Sequence, residues 1–534
     1  MTMKTKAICL LLYLFLFASA LSYAQSWKWE RKAGSPTNDV GQGTTTDKYA
    51  NVYTTGYFTG TMSIGTASLI SRGGWDVYLA KYDSSGNFIW AKSAGSVGDD
   101  NGATMCTDDS LNVYLVGTVN GTAIFGTDTL IGFGGDDCFL AKYNSAGTLI
   151  WVRHMGGAGA DEGTDVLLDK NGDLVLSGCF SNTCSFDTIT AISQGGSDAF
   201  IAKYSSSGHV KWISTQGGTS DDLGFGIAID NNNKILYAGL FTTSATFGTV
   251  TLTGLGANYN TFVSRYSSTG NLEWIKQAGG NGPTNTLAIA TDLNGSVYIT
   301  GYFSGTTHFD TTSFICKGQV DAFVSKYDNN GNRRWTKRFG GPNYDYSFAI
   351  ATDKQANCYI AGDTGATAHI HIFINKYDSA GAFEWTKTAG GYGQLNAAYG
   401  LATDAAGYLY VNGIFSSYCP FDSDTLHTNG GWDIFLSKLS SPPDMDDAGI
   451  NELNFAQNVV VYPNPTTGML TVKNENGLLK RIYFYNLLGE QVYSNSSVFH
   501  RTIVEFDLSK QAAGIYFIKI ETDKGVMTKK IILN

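Results

Sequence analysis

Charge is what this sequence has least of: 15% of its 534 residues are Asp, Glu, Lys or Arg, against about a quarter in an average globular chain. Proline is scarce at 8, cysteine at 8 and histidine at 7. So little charge, beside 30 Tyr, 30 Phe and 10 Trp, excludes charge-driven disorder, because those rings supply more burial than a disordered chain carries. Few prolines, and 64 glycines without a G-x-y period, exclude collagen and proline-rich linkers. No 3.6-residue hydrophobic period runs through the chain, which excludes a helical solenoid. What remains suits short strands joined by tight turns, an all-β chain.

One long apolar run is present, at the start. Lys4 and Lys6 precede Ala7 to Ala18, and Ser22-Tyr23-Ala24 places small residues where a signal peptidase reads them. Residues 1–24 are therefore expected to be a signal peptide cut between Ala24 and Gln25. The run is too short to span a membrane as a helix, and no transmembrane segment is expected in the mature chain. With Cys9 removed, Cys106, Cys138, Cys179, Cys184, Cys316, Cys358 and Cys419 remain. That odd number leaves at least one unpaired within the chain. Apolar strand positions favour small buried hydrophobes; Cys179 and Cys184 are close enough in sequence for a local bridge.

Repetition organises the rest. Trp recurs at 29, 90, 151, 212, 274, 335 and 385, in steps of 61 or 62 with a last step of 50. Lys/Arg-Tyr recurs from Lys81-Tyr82 to Lys376-Tyr377, and an Asp at 47, 108, 169, 230, 292, 353 and 404 is followed nine residues later by Gly. Each repeat reads as four strands: one ending at the Asp, one such as Val297–Phe303, one such as Ala322–Tyr327, and one carrying the Trp. Four short strands per repeat are a β-propeller blade. A Trp-bearing strand comes first, at Trp27 to Ala33, while the last repeat stops at Leu439, so the N-terminal strand is expected to close the seventh blade.

The string Gly195-Gly196-Ser197-Asp198-Ala199-Phe200-Ile201-Ala202-Lys203-Tyr204, with Gly208 following, resembles the SBBP repeat family of secreted bacterial β-propellers. The resemblance covers residues 27 to about 441, with Asn260 and His371 standing where the motif has Asp. It implies a scaffold of binding or unassigned role and supplies no catalytic residues.

After Pro442-Pro443-Asp444-Met445-Asp446-Asp447 the repeat ends. Residues 450–534 carry nine Lys/Arg and seven Asp/Glu, whereas the repeat region carries 25 basic and 36 acidic residues, net −11. Alternation in Leu470–Lys473, Ile482–Tyr485 and Ile515–Ile520 predicts a small C-terminal β-sandwich. Tyr462-Pro463-Asn464-Pro465 with Gly468, Asn486-Leu487-Leu488-Gly489, Ala513-Gly514-Ile515-Tyr516 and the terminal Lys529-Lys530-Ile531-Ile532 resemble the type A C-terminal sorting domain of the Bacteroidetes type IX secretion system. The resemblance implies passage across the outer membrane by that machinery, leaving the protein secreted or on the cell surface. The expected organisation is signal peptide 1–24, propeller 25–441, linker 442–449 and sorting domain 450–534.

No H-E-x-x-H, G-x-S-x-G, Walker or Rossmann signature is present, and a repeat-region charge of −11 argues against nucleic acid. Catalytic and cofactor residues are therefore assigned to none. Two candidate sites emerge. Asp39, Asp100, Asp161, Asp222 and Asp345 occupy equivalent loop positions and are expected around the channel mouth, where they either draw Ca²⁺ or cap their own loops. The shortened sixth repeat predicts a notch near His369 and His371, with Tyr344, Tyr346 and Tyr392 beside it, suited to an extracellular glycan or protein ligand. A non-catalytic binding or adhesion scaffold is the leading reading; the alternative is a secreted enzyme, a lyase or hydrolase of glycans, which requires carboxylates placed asymmetrically at the mouth.

Overall fold

The computed structural model describes residues 25–256, 259–366, 369–391, 395–422, 424–440, 459–474, 477–486, 491–495, 501–522 and 526–534. The signal peptide with Ala24, the linker at 442–449, Tyr392 and Gly489 lie outside the described residues. The chain divides into two units, Met1–Pro442 and Pro443–Asn534. Among the described residues every regular element is a β-strand.

The first unit repeats one antiparallel module. In the copy that starts at Thr284 the strands Thr284–Thr291, Val297–Phe303, Asp321–Tyr327 and Arg333–Phe339 lie side by side in that order. The two middle strands are buried on both faces, and the fourth is half exposed. Continuous apolar runs in the middle strands are what a sheet covered on both faces requires.

The repeated Asp makes the first turn. Asp292 Oδ1 accepts the amides of Asn294 and Ser296 at 2.9 and 2.8 Å, and Oδ2 accepts Tyr298 Oη at 3.0 Å. Lys326 Nζ stands 3.5 Å away from the same carboxylate, over the Tyr298 ring. An Asx turn thus doubles as the counter-ion of a buried lysine.

The repeated Trp joins one module to the next. Trp274 Nε1 donates to Asn329 O at 3.0 Å across the module boundary. Gly331, at φ +76°, lies beneath the indole, and a Cβ there would meet Trp274 Cδ2 at 2.8 Å. Gly86, Gly147, Gly270 and Gly381 meet Trp29, Trp90, Trp212 and Trp335 in the same way. Only glycine offers both the positive φ and the missing Cβ. Trp385 is the exception: its turn would fall between the two ends of the repeat region, and its Nε1 has no partner.

The loop between second and third strands folds into a hairpin that reaches back to the preceding module. Thr306–Phe309 pairs with the end of Leu272–Gly280, and the equivalent hairpins pair at Ala33–Gly34, Ala94–Gly95, Met155–Gly157 and Gln216–Gly217. In the short sixth repeat Cys358–Ala366 runs directly into pairing with His369–Tyr377, so nothing of this kind reaches Arg333–Phe339. The notch is there.

Trp27–Gly34 pairs antiparallel with Thr425–Leu439, from Trp27 opposite Leu439 to Ala33 opposite Ile434, in one sheet with Leu409–Pro420 and Asn396–Thr403. The first strands of successive modules are neighbours, and Asn396–Thr403 packs against Val40–Thr46. Threonine hydroxyls tie several of these neighbours together: Thr107 donates to Thr46 O, Thr46 to Thr403 O, Thr403 to Thr352 O and Thr352 to Thr291 O, at 2.9–3.2 Å. All seven described cysteines are free, Cys179 and Cys184 included.

In the second unit Val459–Tyr462, Met469–Asn474 and Ile503–Asp507 form one antiparallel sheet, and Gln491–Asn495, Leu479–Tyr485, Gly514–Thr522 and Val526–Leu533 another. Leu470, Val472, Ile482, Phe484, Ile518 and Ile520 share one core. The peptide bonds before Pro463 and Pro465 are cis. Between those prolines Asn464 grips the last strand: its Oδ1 accepts Ile532 N at 2.9 Å and its Nδ2 donates to Lys530 O at 2.8 Å. Gly468, at φ +142°, packs against Ser509, whose Cβ lies 2.9 Å from where its own would be.

Candidate functional site

Every first strand of the repeat region carries an irregularity at one place. Pairing with the second strand skips a residue between Gly41 and Gly43, Gly102 and Thr104, Gly163 and Asp165, Gly224 and Gly226, Thr286 and Ala288, Ser347 and Ala349, and Ala398 and Gly400. A classic β-bulge leaves the extra residue unpaired and re-aims it. The residues so released are Gln42, Ala103, Thr164, Phe225, Leu287, Phe348 and Tyr399, and all of them line one cavity of about 520 Å³.

The wall of this cavity is not uniform. Tyr57, Trp432, Phe348 and Tyr399 make an aromatic side, with Phe348 and Tyr399 edge to face at 4.9 Å. Tyr344, Tyr346 and Phe348 stack in a ladder along their strand. Asn101, Thr104, Thr118, Glu162 and Asp165 make a polar side. A second pocket of about 630 Å³ adjoins it, sharing Asn101, Thr118 and Glu162 and adding Trp75, Asp99, Asn120 and Asp136. Trp75 is 41% exposed, stacks on Tyr57 at 4.5 Å and donates its amide to Asp99 Oδ1 at 3.0 Å. Its free face is a fixed aromatic platform.

The carboxyls here differ in their work. Desolvation raises the Glu162 pKa, and the charge of Asp136 raises it further; Asp136 Oδ1 accepts Asn120 Nδ2 at 2.7 Å. Asp165 is pushed up to about 6 by burial, against the amides of Ile227 and Val166, which it accepts at 3.0 and 2.9 Å; it ties two modules together. Asn101 Oδ1 is buried without a hydrogen-bond partner. Among the described residues no Lys, Arg or His lines either pocket.

The aspartates expected around the mouth do not face it. Asp39, Asp100, Asp161, Asp222 and Asp345 are 0–2% exposed. They cap loops instead: Asp100 Oδ2 accepts Ser96 N at 2.5 Å and Oδ1 accepts Asn120 N at 2.9 Å, Asp222 holds Gly218 N and Thr242 N at 2.7 and 3.0 Å, and Asp161 Oδ1 accepts Ser181 N at 3.2 Å. Among the described residues no cluster of three or more His, Cys, Asp or Glu is arranged to hold a metal ion. His369 and His371 also face backbone, each with Nδ1 3.2 Å from a carbonyl, of Gly391 and Gly390 respectively. The Tyr344 and Tyr346 of the expected notch belong instead to the ladder that leads to the cavity. Sequence reasoning set Glu162 and Asp99 beside the mouth, where they do line the pockets, but missed the bulge residues and Trp75; the available signal was variability at the bulge position.

Comparison with known families bears on the frame around this cavity. Residues 273–306 and 334–367 match the SBBP β-propeller repeat, and residues 460–534 match the secretion system C-terminal sorting domain. This is an SBBP-repeat protein with a type IX sorting tail. The sorting tail marks the SBBP-repeat protein for secretion to the cell surface or beyond. An uncharacterized WD repeat-containing protein of Acanthamoeba polyphaga mimivirus is 23% identical over 364 residues, covering 53% of this chain and 26% of the viral protein. The regulatory protein FlaEY of Caulobacter vibrioides is 25% identical over 167 residues, 30% of this chain and 17% of that one. The chain thus spans about a quarter or less of these relatives. Among solved structures, polysaccharide lyase Uly1 covers 78% of the SBBP-repeat protein and 99% of its own chain at 9% identity and TM-score 0.42. Chaetomium thermophilum Sqt1 covers 76% and 96% at 9% identity and TM-score 0.37.

Proposed function

We propose that the mature protein is a seven-bladed β-propeller, closed by its N-terminal strand, that binds an extracellular saccharide without catalysis at the mouth of its central cavity. Its blades are the four-stranded modules, and the cyclic packing of their first strands supports that count. The tail is a small β-sandwich that engages the type IX machinery, joined through the acidic linker 442–449.

One observation carries the binding reading: the residue that the bulge turns into the cavity differs in size and polarity from module to module. A scaffold that only had to hold itself together has no use for Tyr399, Phe348, Gln42 and Thr164 at equivalent points. Aromatic faces at Trp75, Tyr57 and Tyr399 suit the C–H faces of a sugar ring, while Asn101, Asn120 and Glu162 suit its hydroxyls. With carboxylates and no basic residue in the lining, anionic polysaccharides are repelled.

The test is a glycan array followed by calorimetry on the mature chain. Neutral oligosaccharides should bind, and Trp75→Ala or Tyr399→Ala should weaken the best of them by about tenfold or more, the loss expected of an aromatic anchor. Absence of any glycan binding, or affinity indifferent to both substitutions, overturns the reading. A second reading, glycan hydrolysis or lysis, is favoured by Glu162, a carboxyl of raised pKa beside Asp136. Turnover of a bound oligosaccharide that disappears in Glu162→Gln decides for it.

A further inference from the structure

Behind the cavity, at the boundary between neighbouring modules, two buried side chains meet: one from a third strand, one from the first strand of the next module. The pairs are Asp76 with Asp100, Asp137 with Asp161, Asp198 with Asp222, Asp321 with Asp345 and Asp433 with Asp39. At the other two boundaries both carboxylates are replaced together. Asn260 is followed by Thr284, and His371, opposite Thr364, is followed by Asn396, opposite Phe415. No boundary keeps one carboxylate without the other, so the two act as a unit.

The hydrogen bonding of each unit leaves at least one oxygen without a hydrogen, and in Asp137/Asp161 it leaves two, Asp137 Oδ1 and Asp161 Oδ2. Asp100 spends both oxygens on the amides of Ser96 and Asn120. Asp76 Oδ2 accepts Arg72 N at 3.1 Å, but Asp76 Oδ1 is buried without a hydrogen-bond partner, as are the Oδ1 atoms of Asp137, Asp198, Asp321 and Asp433. All five residues are 0–1% exposed. Asp76 Oδ1 and Asp100 Oδ2 lie 2.7 and 2.8 Å from the point where a Cβ on Gly95 would stand, so they crowd one spot. Two anions there would repel each other with little water to screen them.

A basic side chain is at hand in two of the five. Arg338 pairs with Asp321 Oδ2, and His154 Nε2 stands 3.4 Å from Asp137 Oδ2. The other three have no such partner. Arg72 and Asp99 act on Asp76 and Asp100 respectively from a distance; Asp221 acts on Asp222, and Asp222 in turn on Tyr237; Lys32 acts on Asp433 and Tyr78 is near Asp39, but Lys32 Nζ is engaged by His427 O and Asn429 Oδ1.

We propose that Asp76/Asp100, Asp198/Asp222 and Asp433/Asp39 each hold one proton at mildly acidic pH, with the third-strand Asp as a carboxylic acid whose Oδ1–H donates to its neighbour. Burial raises Asp76 and Asp222 to about 7 and Asp100, Asp198 and Asp433 to about 6, in the same direction. A folded-state pKa above the usual 3.8 means that the folded chain binds more protons than the unfolded one. The stabilisation is complete below about pH 4 and is lost as pH rises through about 6–7. The first pair sits directly behind Asp99, Asn101 and Asn120, so the loss reaches the mouth of the cavity whatever occupies it.

Asn in place of the acid keeps a donor that pH cannot remove. In the mature chain carrying Asp76→Asn, Asp198→Asn and Asp433→Asn, the fall of Tm between pH 5 and 8.5 should shrink, and Tm at pH 8.5 should exceed that of the unsubstituted protein. Infrared spectra of the unsubstituted protein at pH 5.5 should show a protonated-carboxyl C=O band that is weaker in the triple variant, with circular dichroism confirming that the variant is folded. Absence of that band from the unsubstituted protein overturns the proposal. So does a Tm raised by Ca²⁺ and lowered by EDTA in the unsubstituted protein but not in the variant, since a cation would then occupy the place of the proton.

Discussion

Arg265 and Asp230 show how a residue in this protein carries several duties at once. The guanidinium, 8% exposed at its side chain, pairs with a fully buried carboxylate at 2.9 Å that also receives the turn amides of Asn232 and Lys234. Asp230→Ala therefore removes a cap and the buried partner of the cation, leaving it the more exposed Glu273 at 3.3 Å; a loss of up to about 3–5 kcal/mol is expected, as for other broken buried pairs, measured by urea denaturation. Gly331→Ala is the corresponding backbone test. With φ at +76° and Trp274 at 2.8 Å, it should cost about 1–3 kcal/mol, whereas Gly407→Ala, at φ +82° but with open space around it, should cost less by the steric share. The turn Asp and the packing Trp were legible because they recur. The carboxyl pairs were not, since Asp76 and Asp100 are 24 positions apart and meet only when consecutive repeats are placed side by side.

Among the elements, the fourth strand of the fifth module differs from that of the fourth. Leu272–Gly280 has its last residues covered by the hairpin of the following module; Arg333–Phe339 has no such cover. The amide of Gly340 should exchange with deuterium faster than that of Gly279, by about tenfold or more, as expected of edge backbone against paired backbone. Equal protection at both sites in hydrogen-exchange mass spectrometry would count against the notch. The 50-residue step in Trp spacing announced this difference. The bulges announced nothing: a strand such as Thr284–Thr291 reads as continuous alternation, and an extra residue without a partner leaves no mark on a two-residue period. For the same reason Phe225, Leu287 and Tyr399 read as ordinary strand residues until pairing partners assigned them to the cavity.

For the molecule as a whole, two ends of one chain region must find each other. Trp27–Gly34 completes the sheet of Thr425–Leu439, and Ser26 N donates to Ser440 Oγ at 3.0 Å. A chain lacking residues 25–34 loses a strand and the Trp29 contact with Gly86; it should melt at a lower temperature and with a broader transition in calorimetry. At this scale the sorting tail was fully legible, because machinery that reads a tail needs fixed residues in fixed order. Removing residues 450–534 should leave the repeat region folded but retained inside the outer membrane, as cell fractionation would report.

The contact between each Trp and the glycine turn of the following module has a consequence for how such a molecule can grow. Apart from the place where the two ends of the region meet, each module carries a knob for its successor and a socket for its predecessor, made from similar residues each time. The modules are interchangeable links: an in-frame copy of residues 274–334 would meet both its neighbours with surfaces they already accept. Gene duplication can therefore lengthen the chain without inventing a new interface, and what limits the number of links is the angle at which the first and last can still clasp.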